Sequence, residues 1–356
     1  MLCGRLSRPA ALAAAAGPRF GVRALSATAA RSHTPSMGDI EPNQSSVDAF
    51  HDKQKKFREH LVQAQKEQGA RAFDAHNPPD KAAQKSADNS PQSAAGATAA
   101  ATEQIDQRKS GPLSNLIYGT KEGREMDAQL EASFSQVLAR GKYVHSIVLH
   151  EVKPDKVDEY VKLVGDYYPR IANAPENKVH LVGSWRTEVG DCDTFVHIWE
   201  YQKYEGYHQS RHSISSHPEF AEFNKTLSTL INSKKISLMQ EFSFWPTTPP
   251  RQLGGVFELR SYTLHPGNLL EWETHWRRGL KARREVMEGV GAWFVQIGDL
   301  NTVHHLWQFA NLEERRDRRE KSWSVEGWSD TVHKTVPLIQ DMKSRILIPM
   351  PWSPVA

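Results

Sequence analysis

Two stretches of the chain repeat one pattern of apolar and polar positions. Tyr143 to Val152 and Val256 to Leu264 have the length and residue types of strands. Each leads into a segment opened by a proline, Pro154 or Pro266, a favoured first helical residue. Behind the prolines, apolar residues recur at helical spacing. They are Val157, Tyr160, Val161, Val164 and Tyr168 in the first segment, and Leu269, Trp272, Trp276 and Leu280 in the second. Hairpins follow, 179–189 with 194–201 and 290–297 with 302–309. Their turns, Gly190-Asp191-Cys192-Asp193 and Gly298-Asp299-Leu300-Asn301, are rich in turn formers. A second helix is predicted from Phe220, Phe223, Leu227, Leu230 and Ile231. Its counterpart rests on Trp328, Val332 and the stretch 336–342. Closing strands are predicted over Ile236–Phe244 and Arg345–Met350, leaving through Pro246 and Pro351.

The repetition extends to residue identity. Gly183, Trp185, Gly190, Thr194, His197 and Trp199 recur 108 residues on as Gly291, Trp293, Gly298, Thr302, His305 and Trp307. Val152-Lys153-Pro154 matches Leu264-His265-Pro266 at an offset of 112, so the second copy has the shorter connection after its first helix. The order βαββαβ, twice, predicts two ferredoxin-like units in an α+β protein. Each has helices on one sheet face and leaves the other bare, so the copies are expected to cover one another sheet to sheet. On this reading Phe257 and Leu259 meet the helices. Glu258, Arg260, Tyr262, His197, Trp199, His305 and Trp307 then face inward, into the space between the sheets.

Composition divides the rest of the chain. Asp74 to Gln104 contains no Val, Ile, Leu, Met, Phe, Trp or Tyr, too little apolar surface to offset chain entropy. All ten tryptophans lie between Trp185 and Trp352. The predicted layout is a leader over 1–32, a mostly disordered low-complexity tail over 33–112, a linker and helix over 113–141, and repeats at 142–246 and 253–352. Within the tail, Phe50, Phe57 and Leu61 predict a lone, solvated helix over 47–73. Met126, Leu130, Phe134 and Val137 or Leu138 predict another over Lys121–Arg140, ended by Gly141.

Charge and cysteine count refine the class. Residues 1–38 hold five arginines and no Asp, Glu or Lys; without them 40 basic residues face 42 acidic ones. The folded part therefore carries no net-charge footprint for nucleic acid. The leader has the composition of a mitochondrial presequence. In a secretory leader the positive charge precedes the apolar run, whereas Arg19, Arg23 and Arg31 follow Ala10–Ala16. Arg23-Ala24-Leu25 with Thr28 fits matrix processing near His33. Cys192 is alone outside the leader, which excludes a disulfide framework and a Cys-based zinc site. No apolar run reaches 18 residues, so no membrane span is expected.

Two readings of the polar stripe stay open. Glu258 and Arg260 form a buried structural ion pair, or an acid and a cation converge with the histidines on a ligand cavity. His304 and His305 are adjacent on a strand and point apart. His208 and His212 have helical metal spacing without a third ligand, and no metal is expected. Glu313–Lys321 reads as a solvated helix face.

The motifs Glu241-Phe242-Ser243-Phe244-Trp245, Phe257-Glu258-Leu259-Arg260-Ser261-Tyr262-Thr263-Leu264-His265-Pro266-Gly267 and Val303-His304-His305-Leu306-Trp307 resemble the NipSnap family. So does the tail Thr335-Val336-Pro337-Leu338-Ile339, and the resemblance covers about 112–355. It implies the dimeric α/β-barrel fold, a mitochondrial, mainly matrix, location, and an adaptor role through autophagy receptors and Atg8-like proteins. No cofactor and no settled enzymatic activity come with it. The expectation is thus a non-catalytic mitochondrial adaptor. The alternatives are a small-molecule-binding or monooxygenase-like enzyme using the barrel cavity, and an organising homo-oligomer.

Overall fold

The two-residue period of a strand explains the doubled Gly-x-Trp motif. A computed structural model of the chain describes residues 34–41, 43–76 and 143–356. In it Gly183 and Trp185 share one face of a strand, and the Trp185 indole folds back over the glycine. A Cβ at Gly183 would lie 2.2 Å from that ring, and one at Gly291 would lie 2.5 Å from the Trp293 ring. Both indoles are completely buried, so each repeat spends a glycine to seat a core tryptophan. The hairpin turns that follow place Gly190 at φ 118° and Gly298 at φ 115°, backbone that favours glycine.

The first repeat comprises β1 (Tyr143–Val152), β2 (Val179–Val189), β3 (Thr194–Gln202) and β4 (Ile231–Glu241). The second comprises β5 (Val256–Leu264), β6 (Glu288–Ile297), β7 (Thr302–Phe309) and β8 (Ile339–Pro349). Strand order is β4-β1-β3-β2 in one and β8-β5-β7-β6 in the other. The sheets do more than face each other. β2 pairs with β8 and β4 with β6, both antiparallel, so the two sheets close into one eight-stranded barrel without a free edge.

The barrel interior reverses the sequence-based choice of faces. Ile147, Trp185, Val196 and Ile198 of repeat one pack there with Phe257, Leu259, Trp293, Leu306 and Leu347 of repeat two. Glu258, Arg260, Tyr262, His305 and Trp307 therefore lie on the helix side, as do His197 and Trp199. A one-residue phase choice flips every side chain of a strand. Here both faces of β3 and β7 are apolar and buried, so alternation carried no sign of the phase.

The closing strands begin earlier than predicted. Ile231 and the stretch 339–342, expected in the second helices, and the polar, largely exposed residues that follow them already pair with β1 and β5.

The helices form the outer layer. The long helix α1 (Gln44–His76) precedes the barrel. Helices α2 (Val157–Asn173), α3 (Lys203–Ser216) and α4 (Pro218–Leu230) belong to repeat one, and α5 (Leu269–Val286), α6 (Leu312–Trp323) and α7 (Trp328–Thr335) to repeat two. The expected apolar stripes are the packed faces: Tyr160, Val164 and Tyr168 of α2, and Trp272, Trp276 and Leu280 of α5.

The helix expected alone over 47–73 is not alone. Phe50 of α1 is 4% exposed and packs with Leu253 and Ala310, flanked by Val47 and Phe57. Gln54 and Arg58 donate to the Glu288 carboxylate. The apolar residues share one face of α1, and that face finds cover on repeat two. The presequence expected over 1–32, the low-complexity tract beyond residue 76 and the helix expected over Lys121–Arg140 fall outside the described residues. No helix among the described residues is long and apolar enough to cross a membrane.

Mutual cover makes a prediction. A fragment of 253–356 would expose Phe257, Leu259 and Leu306 together with the edges of β6 and β8. It is expected to aggregate or dimerise in size-exclusion chromatography with light scattering. A stable monomer would contradict the shared core.

Candidate functional site

The polar stripe of β5 lies under the helices of repeat two. Glu258 is completely buried, and its carboxylate gathers four charge-assisted or hydroxyl donors. Arg260 Nη1 donates to Oε1 at 2.8 Å, Arg315 Nη2 at 2.7 Å and Ser344 Oγ at 2.8 Å. Arg315 Nε donates to Oε2 at 2.9 Å, and Arg319 Nη1 stands 3.8 Å from the same oxygen. The expected Glu258–Arg260 pair is thus one edge of a cluster of three guanidiniums about one carboxylate. Burial alone would raise the Glu258 pKa. The Arg315 hydrogen bond and the charges of Arg260, Arg315 and Arg319 outweigh it and hold the carboxyl well below the usual range.

Arg315 and Arg319 are four apart on α6, so both reach the sheet from one helix face. This corrects the reading of Glu313–Lys321 as a solvated face. Charged runs conceal such sites, because nothing in the spacing says that one side of the helix covers a buried acid. On the next position of β5, Arg260 Nε donates to the Tyr262 hydroxyl at 2.7 Å. Neighbouring rings are His305, 4.9 Å from Tyr262, and Trp276, stacked on Trp272 at 4.7 Å. Trp307 Nε1 donates to His305 Nδ1 at 2.7 Å. Burial, then the Arg260 charge, pushes the His305 pKa well below its ordinary value.

Repeat one has a neutral counterpart. The registers place Ser146, Val148 and His150 opposite Trp199, His197 and Phe195, as Glu258, Arg260 and Tyr262 stand opposite Trp307, His305 and Val303. In place of the arginine cluster runs a buried chain of hydrogen bonds. Ser184 Oγ meets His197 Nδ1 at 2.8 Å, His197 Nε2 meets Tyr160 Oη at 2.8 Å, and Tyr160 Oη meets His150 Nδ1 at 2.7 Å. Burial, helped by Lys234, pushes His150 down to about 3, and burial with His150 and Lys234 lowers His197 strongly. The predicted candidates therefore do not converge: His197 and Trp199 sit in one helix–sheet layer, and Glu258, Arg260, Tyr262, His305 and Trp307 in the other.

His304 points the opposite way from His305 and bonds Ser261 Oγ at 2.8 Å. His208 and His212 are exposed on α3, and among the described residues no group of three His, Cys, Asp or Glu side chains could hold a metal ion.

The fold and its doubled layers define a class: tandem ferredoxin-like repeats closed into a single-chain α/β barrel. Comparison with known proteins places it further. The NIPSNAP family profile matches residues 146–246 and 257–354, and the chain belongs to the NipSnap family. It is 40% identical over 213 residues to protein NipSnap homolog 1 of Danio rerio, covering 60% of this chain and 76% of that one. It is 38% identical over 235 residues to protein NipSnap homolog 2 of Homo sapiens, covering 65% of this chain and 82% of that one. A crystal structure of an uncharacterized NIPSNAP-like domain protein from Burkholderia xenovorans is 36% identical. That match covers 27% of this chain and 84% of the bacterial one, with a TM-score of 0.26.

Proposed function

We propose that this NipSnap-family chain is a non-catalytic mitochondrial matrix protein, an adaptor that marks damaged mitochondria for autophagy receptors and Atg8-like proteins. The observation that supports it is electrostatic. General acid–base work needs groups that titrate near the operating pH. At the polar site Glu258 is held ionised by its arginines, and His305 is held neutral by burial. Neither titrates near neutral pH. The alternative, an oxygenase-like enzyme using the barrel cavity, loses its chamber, since Trp185, Phe257, Trp293 and Leu347 fill the barrel interior. The acid-free leader with Arg5, Arg8, Arg19 and Arg23 supports the location.

The test is proximity labelling in cells whose mitochondria are depolarised. Atg8-like proteins and their receptors are expected among the labelled proteins, increasing on depolarisation. Replacing Arg5, Arg8, Arg19 and Arg23 with Glu is expected to leave the chain outside mitochondria by microscopy. Retained import would refute the leader reading; absence of labelled receptors with import intact would refute the adaptor reading.

A further inference from the structure

Between the sheet and helices of repeat two lies a cavity of about 140 Å³. Its polar lining is one-sided. Arg260, Arg283 and Arg319 supply three guanidiniums, and the carboxylate beside them, Glu258, is already shared with Arg260 and Arg315. Arg283 is 7% exposed, and among the described residues no carboxylate bonds it. Its Nη1 meets the Met287 thioether at 2.9 Å, and its guanidinium sits 3.9 Å from the centre of the Trp328 ring. A buried cation whose guanidinium bonds only a sulfur, and which feels the already shared Glu258 only through space, is an incomplete arrangement. Burial, then the charge of Arg319, pushes its pKa down to about 9.

The neutral groups of the lining tell the same story. Trp272 Nε1, Trp328 Nε1 and His305 Nε2 are buried and have no hydrogen-bond partner. An indole nitrogen can only donate. His305 is neutral, and its Nδ1 accepts from Trp307, so its proton is on Nε2 and it too can only donate. Every unsatisfied polar group named here is therefore a donor, and the unmatched charge is positive. Buried polar groups are normally paired, and these three donors, themselves shielded from solvent, add to the one-sided polarity behind the cavity wall. Apart from Thr335, whose hydroxyl donates to the Thr331 carbonyl, the rest of the wall is apolar or aromatic, and Trp323, Val336 and Met342 at its margin are exposed.

We propose that this cavity binds a small organic carboxylate with an apolar body. The carboxylate accepts from Arg283 and Arg319, and its apolar part lies against the tryptophans. The volume suits a single ring, since a cavity of about 150 Å³ takes up benzene. The site does not depend on the adaptor role; the corresponding layer of repeat one holds a smaller cavity of about 70 Å³, lined by Arg211 and Lys234.

Benzoate is the probe, titrated into the full chain and followed by tryptophan fluorescence and calorimetry, with benzamide and inorganic phosphate as controls. Benzoate is expected to saturate one site and to raise the thermal midpoint, as ligands of the native state do. Benzamide, the same shape without charge, is expected to bind at least about tenfold more weakly, the scale of a hydrogen bond to a charged group. Arg283→Met is expected to weaken benzoate by a similar factor. Because Arg283 is buried, the half-exposed Arg319→Gln provides a second variant that leaves the core intact; it should weaken benzoate severalfold. Equal binding of benzamide, phosphate binding as tight as benzoate, benzoate affinity unchanged in a folded Arg319→Gln protein, or no saturable binding would each overturn the proposal.

Discussion

Between pH 7 and pH 5 the chain is expected to lose several kcal/mol of unfolding free energy. Four buried histidines carry this effect. His150 is pushed down to about 3 and His304 to about 4, each chiefly by burial, and His197 and His305 are lowered strongly. In the unfolded chain each returns to the ordinary value of 6.5. The unfolded state thus binds more protons at mildly acid pH, and stability falls as pH falls below about 6.5. Each neutral histidine contributes about 2 kcal/mol over this interval, against a total stability of about 5–15 kcal/mol for an ordinary domain. Glu258 acts in a separate window. Its depressed pKa contributes stability above the ordinary carboxylate value of 4.5, lost as the pH falls below it. Urea titrations at pH 7, 6 and 5 measure the histidine term. A midpoint independent of pH across that range would mean that these side chains are not buried as neutral rings.

Replacing Glu258 with methionine is expected to destabilise the chain by about 3–5 kcal/mol or more, the cost of stranding buried charge. It would leave Arg260, Arg315 and Arg319 facing one another. Arg260→Leu should cost clearly less, because Glu258 keeps both Arg315 hydrogen bonds and Ser344. The Glu258→Met, Arg260→Leu double variant should remain nearly as unstable as the Glu258 single, since two guanidiniums still lack their anion. Rescue by the double variant, in urea unfolding of all three proteins, would reduce the cluster to a simple pair.

The doubled fold was legible because its signals are local and repeated. Pro154 and Pro266, the helical stripes on Val157–Tyr168 and Leu269–Leu280, and the Gly-x-Trp motifs each mark one element twice. The phase of the strands was not legible. Phe257 and Glu258 are both fully buried, so neither face of β5 is marked as the outer one. The polar site was half visible. Glu258, Arg260 and Tyr262 stand out on a strand, whereas Arg283, Arg315 and Arg319 come from helices whose charged runs look like solvent-facing surface. Only the closeness of α5 and α6 to β5 makes Arg315 a partner of Glu258 and turns Arg283 and Arg319 into lining. The docked face of α1 was likewise half visible: Phe50 and Phe57 mark it, but their partners Leu253 and Ala310 lie far along the chain, in repeat two and the segment before it.

The position of β8 bears on the order of assembly. It is the last of the barrel's eight strands in chain order, yet it is laced between β2 and β5. Until residues 339–349 arrive, the β2–β8 seam stays open and the inner face of repeat one is not fully covered. Contacts joining such distant parts of a chain form late, because the intervening loop must first be closed. A growing or threading chain therefore passes through a stage in which Ile147, Trp185 and Ile198 are made but uncovered, the kind of surface that chaperones hold. Truncations that remove β8 should act on the yield of folded protein far out of proportion to the few residues lost.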